Sequence, residues 1–224
     1  MELFRGKKVI IPRSKNWKLI DETDKYSKKQ RLKCKTPSGK ECTLYPFPAG
    51  MEVLRIFKPL NWLDPTAGWG DRLRCAIEYG CNYTGIDSNP DMEQPYKNII
   101  KDKASDPSKY KIKIGRFQSV RLQEKYDLVF TSPPFYTKEV YNNMIEWKSI
   151  KEFMTEFLKP LIKKSAKYLL QNGHLVLYIE DTNTEEFIPL MKEYALTQDL
   201  FYEGAFYYEG SGGTLKPYYV WLKK

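Results

Sequence analysis

From about Leu54 onward, short runs of apolar residues alternate with stretches whose apolar positions recur every three or four residues. Near-continuous apolar runs suit strands covered on both faces, and the 3.6-residue period suits helices laid across them. "NWLD" (61–64), "YTGID" (83–87), "IKIG" (112–115), "DLVFT" (127–131) and "HLVLYIE" (174–180) read as successive strands. "DRLRCAIEYG" has helical spacing and ends at Gly80. "SIKEFMTEFLKPLIKKSAKYLLQNG" opens on a capping box, Ser149 to Glu152, and is expected to remain helical to Asn172-Gly173, with a kink at Pro160. The aromatic-rich segments "LTQDLFYEGAFYYE" and "YYVWLKK" flank "GSGG" at 210–213 and read as a terminal hairpin. Alternation of this kind implies an α/β fold, a mostly parallel central sheet with a C-terminal antiparallel hairpin.

A chain of 224 residues suits one sizeable domain. No apolar run approaches the roughly 20 residues that span a bilayer, and the first residues lack a signal peptide's apolar stretch, so a soluble intracellular protein without a membrane role is expected. Cys34, Cys42, Cys75 and Cys81 form no CxxC pair, and the single histidine, His174, sits among apolar strand residues. Neither a metal site nor a disulfide is expected. The net charge of +9 is unevenly placed: residues 1–40 hold 13 Lys or Arg against 4 acids, whereas the remaining 184 hold 24 of each. The chain is therefore divided into a basic N-terminal arm (1–44) and a domain (45–224). The arm interleaves cations such as Lys7, Lys8, Arg13 and Lys15 with Phe4, Trp17 and Tyr26. Such a segment attracts phosphate backbones, although a solvated, solubilising face would look the same.

Three motifs carry the chemistry. "LDPTAGWGDRL" (63–73) leaves the first strand and opens a helix, and its Gly68 and Gly70 allow a tight turn and close approach to a ligand where doubly wound folds bind nucleotides. Asp87 ends the next strand, where a carboxylate can take both hydroxyls of a ribose. The turn has no Walker lysine and "GWG" departs from GxGxxG, so neither a triphosphate nor NAD is favoured. "TSPPFY" (131–136) leaves an apolar strand directly into two prolines, which fix two φ angles and remove two backbone donors.

In that order, "DPTAGWGDRL", "GIDSNP" and "TSPPFY" resemble the class I S-adenosylmethionine-dependent amino-methyltransferases that modify nucleobases, above all phage and viral DNA methylases with DPxAGWG and SPPY motifs. "YPFPAGMEVLRIF" (45–57) is similar to the segment preceding that family's first motif, so the resemblance spans roughly 45–224. It implies a Rossmann-like fold and S-adenosylmethionine as cofactor. Phe47, Asp64, Pro65, Thr66, Ala67, Gly68, Trp69 and Gly70 would hold the methionine portion, Asp87 and Ser88 the ribose, and Phe117 and Gln118 the adenine. Where the family often has an acid near the adenine, this chain offers only the Gln118 amide.

The same resemblance makes Ser132, Pro133, Pro134 and Phe135 the catalytic group. An aromatic amine is a poor nucleophile because its lone pair is delocalised into the ring. Acceptors at the Ser132 side chain and the Pro133 carbonyl would favour a pyramidal nitrogen and stabilise its developing positive charge, so no strong base is required. Phe135 would stack on the extruded base. Tyr136, Glu139 and Tyr141 are candidate substrate contacts at the mouth. The expected acceptor is an exocyclic amine in DNA, cytosine N4 or adenine N6, with RNA, a protein glutamine and an inactive nucleic-acid-binding subunit as alternatives.

Overall fold

The computed structural model describes residues 9–12, 21–34, 36, 39, 41–136, 146–182 and 185–224. The chain runs β1 (Val9–Ile11), α1 (Asp21–Arg31), α2 (Phe47–Phe57), β2 (Asn61–Asp64), α3 (Asp71–Tyr79), β3 (Asn82–Asp87), α4 (Glu93–Lys103), β4 (Tyr110–Ile114) and β5 (Tyr126–Thr131). It continues through α5 (Ile150–Glu152), a π-helical stretch (Phe153–Leu158), α6 (Lys159–Tyr168), β6 (Leu169–Tyr178), α7 (Ile188–Leu196), β7 (Leu200–Glu209) and β8 (Leu215–Lys223). The strands form one sheet in the order β1-β7-β8-β6-β5-β2-β3-β4. All pairings are parallel except β6–β8 and β7–β8, so the alternating pattern has produced the expected mostly parallel sheet with its terminal antiparallel hairpin. Strand order reverses between β2 and β5, and a crevice opens there at the carboxyl ends of the strands.

Each face of the sheet carries its own core. One packs α2, α3 and α4 around Trp62, Tyr83, Phe130 and Leu73, and the other packs α6 and α7 around Phe153, Leu161, Leu175 and Trp221. Trp62 is fully buried, stacks on Phe130 at 5.4 Å and donates its indole N–H to the Phe130 carbonyl at 2.9 Å. Truncating such a side chain costs roughly 3–5 kcal/mol. α2 lies close against α3 because residue 50 is glycine: a Cβ there would stand 2.6 Å from the Cys75 sulfur.

One expectation needs correction. Helix α6 stops at Tyr168 rather than at Asn172-Gly173, and Leu169–Tyr178 is strand. The pairing of β5 with β6 jumps from Tyr126↔Leu169 to Leu128↔His174, so Leu170–Gly173 form a bulge, with Asn172 at φ 64°. Asn-Gly here turns a strand instead of ending a helix. At Pro160 the kink takes the form of the π-helical stretch just before it. With no N–H at residue 160, the helix widens there, and the Lys159 N–H reaches back five residues to the Met154 carbonyl.

Residues assigned to the arm enter the domain. β1 pairs in parallel with β7, Val9 opposite Phe206, and α1 packs on α4. Thr23 takes the Arg74 Nη1–H at 2.6 Å, Tyr26 donates to Asp102 at 3.1 Å, and Arg31 donates to the Cys42 carbonyl at 2.9 Å. No helix among the described residues is long and apolar enough to cross a membrane. Among them no cluster of His, Cys, Asp and Glu could hold a metal ion.

Candidate active site

The loop after β2 is built on one carboxylate. Asp64 is fully buried; its Oδ1 accepts the Thr131 hydroxyl at 2.7 Å and the Thr66 N–H at 3.3 Å, and its Oδ2 accepts Arg72 Nε–H and the Tyr83 hydroxyl, both at 2.8 Å. Those four donors use its acceptor capacity. Asp64 therefore shapes the Pro65–Gly70 turn from beneath, which corrects the expectation that it holds a ligand directly. Arg72 completes the frame, donating also to the Thr66 carbonyl and lying 5.1 Å from the Tyr45 ring. Burial alone would lower its pKa, but the Asp64 carboxylate outweighs burial and holds it above the ordinary value. Gly70, at φ 102°, caps α3, and a Cβ there would come within 2.5 Å of Ile99 Cδ1, so the turn has no room for a side chain.

Asp87, at the end of β3, meets this turn. Its Oδ2 accepts the Gly68 N–H and the Tyr96 hydroxyl and its Oδ1 the Asn89 N–H, each at 2.8 Å. One acceptor position of Oδ1 is left for a ligand. Burial raises its pKa, and the donors from Asn89, Tyr96 and Gly68 draw it partly back.

A cleft of about 360 Å³ opens over these groups. It gathers Pro65, Thr66, Gly68, Trp69, Asp87, Ser88, Phe117, Gln118, Ser132 and Pro134, ten of the residues singled out in the sequence, from four separate strand ends. Trp147, Glu156 and Phe157 also line it, the last two on the π-helical stretch, where nothing in the local sequence marks them. The 116–120 turn bearing Phe117 and Gln118 is clamped by Lys164 of α6. Its ammonium donates to the carbonyls of Phe117, Gln118 and Val120 and lies 4.9 Å from the Phe117 ring. Burial, followed by the like charges of Lys167 and Lys113, lowers the Lys164 pKa.

A second cavity, of about 390 Å³, adjoins the first. Ala67, Phe135, Tyr45, Asp71, Tyr178, Glu180 and Lys216 are among its walls, and Gly68, Trp69 and Ser132 line both spaces. Phe135 meets Tyr178 edge to face at 5.2 Å, and Tyr178 in turn stacks on Tyr218 at 4.9 Å. Glu180 lies 3.5 Å from Lys216. The Ser132 carbonyl accepts the Thr66 hydroxyl at 3.1 Å, which ties the Ser-Pro-Pro loop to the first turn. Buried Asp71 accepts the Tyr45 N–H at 3.2 Å. Burial pushes its pKa up to about 6, against the pull of the Thr23 hydroxyl, Arg74 and Arg72.

Other expected site residues lie elsewhere. Phe47 packs under the Arg74 guanidinium at 4.9 Å and lines neither cavity. Pro133 is buried between Ser132 and Pro134, which both line the first cleft. Tyr136 is 4% exposed and packs on Phe153 at 5.5 Å, so it belongs to the core and not to the mouth. Glu139, Tyr141, Lys7, Lys8, Arg13 and Lys15 fall outside the described residues.

The strand order, the turn after β2 and the carboxylate ending β3 together define the fold of the class I methyltransferases. A methyltransferase from Pyrococcus furiosus matches with a TM-score of 0.56 at 16% identity over 80% of this chain and 83% of that one. TrmN from Thermus thermophilus matches with a TM-score of 0.59 at 16% identity, covering 83% of this chain and 56% of TrmN. The 1,6-didemethyltoxoflavin-N1-methyltransferase of Burkholderia thailandensis, solved with 1,6-didemethyltoxoflavin and S-adenosylhomocysteine bound, matches with a TM-score of 0.58 at 11% identity over 80% of this chain and 78% of that one. No protein-family model and no curated protein sequence matches the chain.

Proposed function

We propose that the protein transfers a methyl group from S-adenosylmethionine to an exocyclic amine of a nucleobase in DNA, cytosine N4 or adenine N6. The observation that carries this reading is that Gly68, Trp69 and Ser132 line both cavities, so a donor in one and an acceptor in the other meet at the Ser-Pro-Pro-Phe loop. The first cleft suits the cofactor: the spare position on Asp87 takes a ribose hydroxyl, Phe117, Trp147 and Phe157 offer an apolar wall for adenine, and Gln118 and Glu156 offer polar partners. Bound there, the cofactor supplies an electrophilic methyl group on a sulfonium.

The remaining work falls to the protein. The Ser132 hydroxyl accepts an N–H of the incoming amine and favours a localised lone pair. Phe135 and Tyr178 hold the ring of the acceptor through their faces and edges. The rigid prolines and the Thr66 hydroxyl fix the Ser132 backbone, so the amine is held in line with the methyl carbon instead of searching for it. As the N–C bond forms and the C–S bond breaks, the nitrogen sheds one proton to water.

Incubation with labelled cofactor and separate DNA, RNA and protein acceptors, followed by mass identification of the product, tests the proposal. Label in a methylated amino-nucleoside from DNA is expected. Label in RNA alone or in protein alone would replace the acceptor. A folded protein that binds no S-adenosylhomocysteine would refute the whole reading.

A further inference from the structure

We infer that the outward face of α1, carrying Lys25, Lys28 and Lys29, is a phosphate-backbone surface that leads a nucleic acid into the second cavity; this rests on the reading of the acceptor as nucleic acid.

The inner face of α1 is fixed. Thr23, Ser27 and Arg31 are buried, and Thr23 and Arg31 are tied to α3 and to the Cys42 carbonyl. This anchoring holds the three lysines, spaced i, i+3 and i+4, together on the exposed side. Among the described side chains, Asp24 pairs with Arg31 at 2.8 Å, Asp91 pairs with Lys33 at 2.8 Å, and Asp102 accepts the Tyr26 hydroxyl at 3.1 Å. Lys25 reaches Asp102 only at 3.8 Å with its side chain 71% exposed, and no ion pair holds Lys28 or Lys29 among the described residues. Like charges at this spacing repel one another, and a polyanion lying along the face would relieve that repulsion.

Position supplies the second line of support. Arg31 bonds the Cys42 carbonyl, and Thr43, Leu44 and Tyr45, the next residues, wall the second cavity. The C-terminal end of α1 thus adjoins a segment that lines the acceptor space. Residues 41–224 hold equal numbers of acids and bases, so the rest of the chain gives a polyanion little net attraction.

The test compares the wild type, the variant K25Q/K28Q/K29Q and a control, K151Q/K163Q/K167Q, which removes the same charge from the helices on the other face of the sheet. Fluorescence anisotropy over a range of salt would be read with a labelled duplex and with the corresponding single strand. The α1 variant should lower the slope of log affinity against log salt by about 2 to 3, since each phosphate contact contributes about 0.9 on a duplex and 0.7 on a single strand. The control should leave it unchanged, and S-adenosylhomocysteine affinity should be equal in all three. An unchanged slope in the α1 variant, or an equal drop in the control, would overturn the surface and leave the acceptor class standing. A wild type that binds S-adenosylhomocysteine but neither form of nucleic acid would overturn the acceptor class, and the surface with it.

Discussion

Replacing Lys164 by Met separates a residue that shapes the first cleft from those that line it. The ammonium donates to three carbonyls of one short turn, those of Phe117, Gln118 and Val120, and α6 thereby fixes the loop. A hydrogen bond from a charged donor contributes roughly 1.5–3 kcal/mol, and the part-exposed position reduces this by screening. With water replacing the lost donors in part, about 1.5–2 kcal/mol of loop order should go. If the loop must be ordered to hold a ligand, that loss appears in binding, at about 1.4 kcal/mol per tenfold. Calorimetric titration with S-adenosylhomocysteine should therefore show a roughly 10- to 30-fold weaker Kd. Hydrogen exchange should accelerate at Ser119 and Val120, whose amides now bond the Arg116 carbonyl. Affinity within about twofold of wild type, together with unchanged protection of those two amides, would refute the clamp.

Further outcomes follow from other groups. Asp71, ordinarily at 3.8, is pushed up to about 6. The folded chain alone holds that proton between these values, so stability falls as pH rises through the window, by roughly 3 kcal/mol in total. Urea denaturation at several pH values should show this slope in wild type and its loss in Asp71→Asn. Asp64→Ala leaves the buried Arg72 guanidinium unpaired and should cost about 3–5 kcal/mol; the double variant D64L/R72M should recover part of it, as read by thermal unfolding. Ser132→Ala and Phe135→Ala should slow single-turnover methyl transfer far more than they weaken S-adenosylhomocysteine binding, and wild-type turnover in both would dismiss the Ser-Pro-Pro-Phe mechanism. Asp87→Ala should weaken S-adenosylhomocysteine at least about tenfold, measured by calorimetry, through loss of a charge-assisted bond to the ribose.

Much of the sheet was legible because its signals are local. The apolar runs of β2, β3 and β5 and the glycine that stops α3 each speak for themselves within ten residues or so. What escaped depends on distant partners. Asp64 reads in sequence as a carboxylate beside a ligand loop, and only the convergence of Thr131, Arg72 and Tyr83 on it reveals a buried strut. Tyr178, Glu180 and Lys216 reach the second cavity from β6 and its surroundings, where alternation predicts exposure but not a shared space. Lys164 looks like any solvent-facing lysine of an amphipathic helix. At Asn172-Gly173 the local signal was real but ambiguous, since the same pair ends a helix or bulges a strand, and pairing with β5 decided the matter.

The outermost strand of the sheet has an implication for how the molecule is assembled. β1 can join only an edge made by β7, so Val9 waits for Phe206. During vectorial synthesis the segment near residue 9 leaves the ribosome long before its partner exists, whereas α1 can dock once α3 and α4 are made. The loop to be closed is nearly the whole chain, but closure cost rises only with the logarithm of its length. The delay is therefore set by translation more than by the entropy of the search. A strand added last seals one border of the sheet, and until it arrives β7 stands as an open edge to any other extended chain.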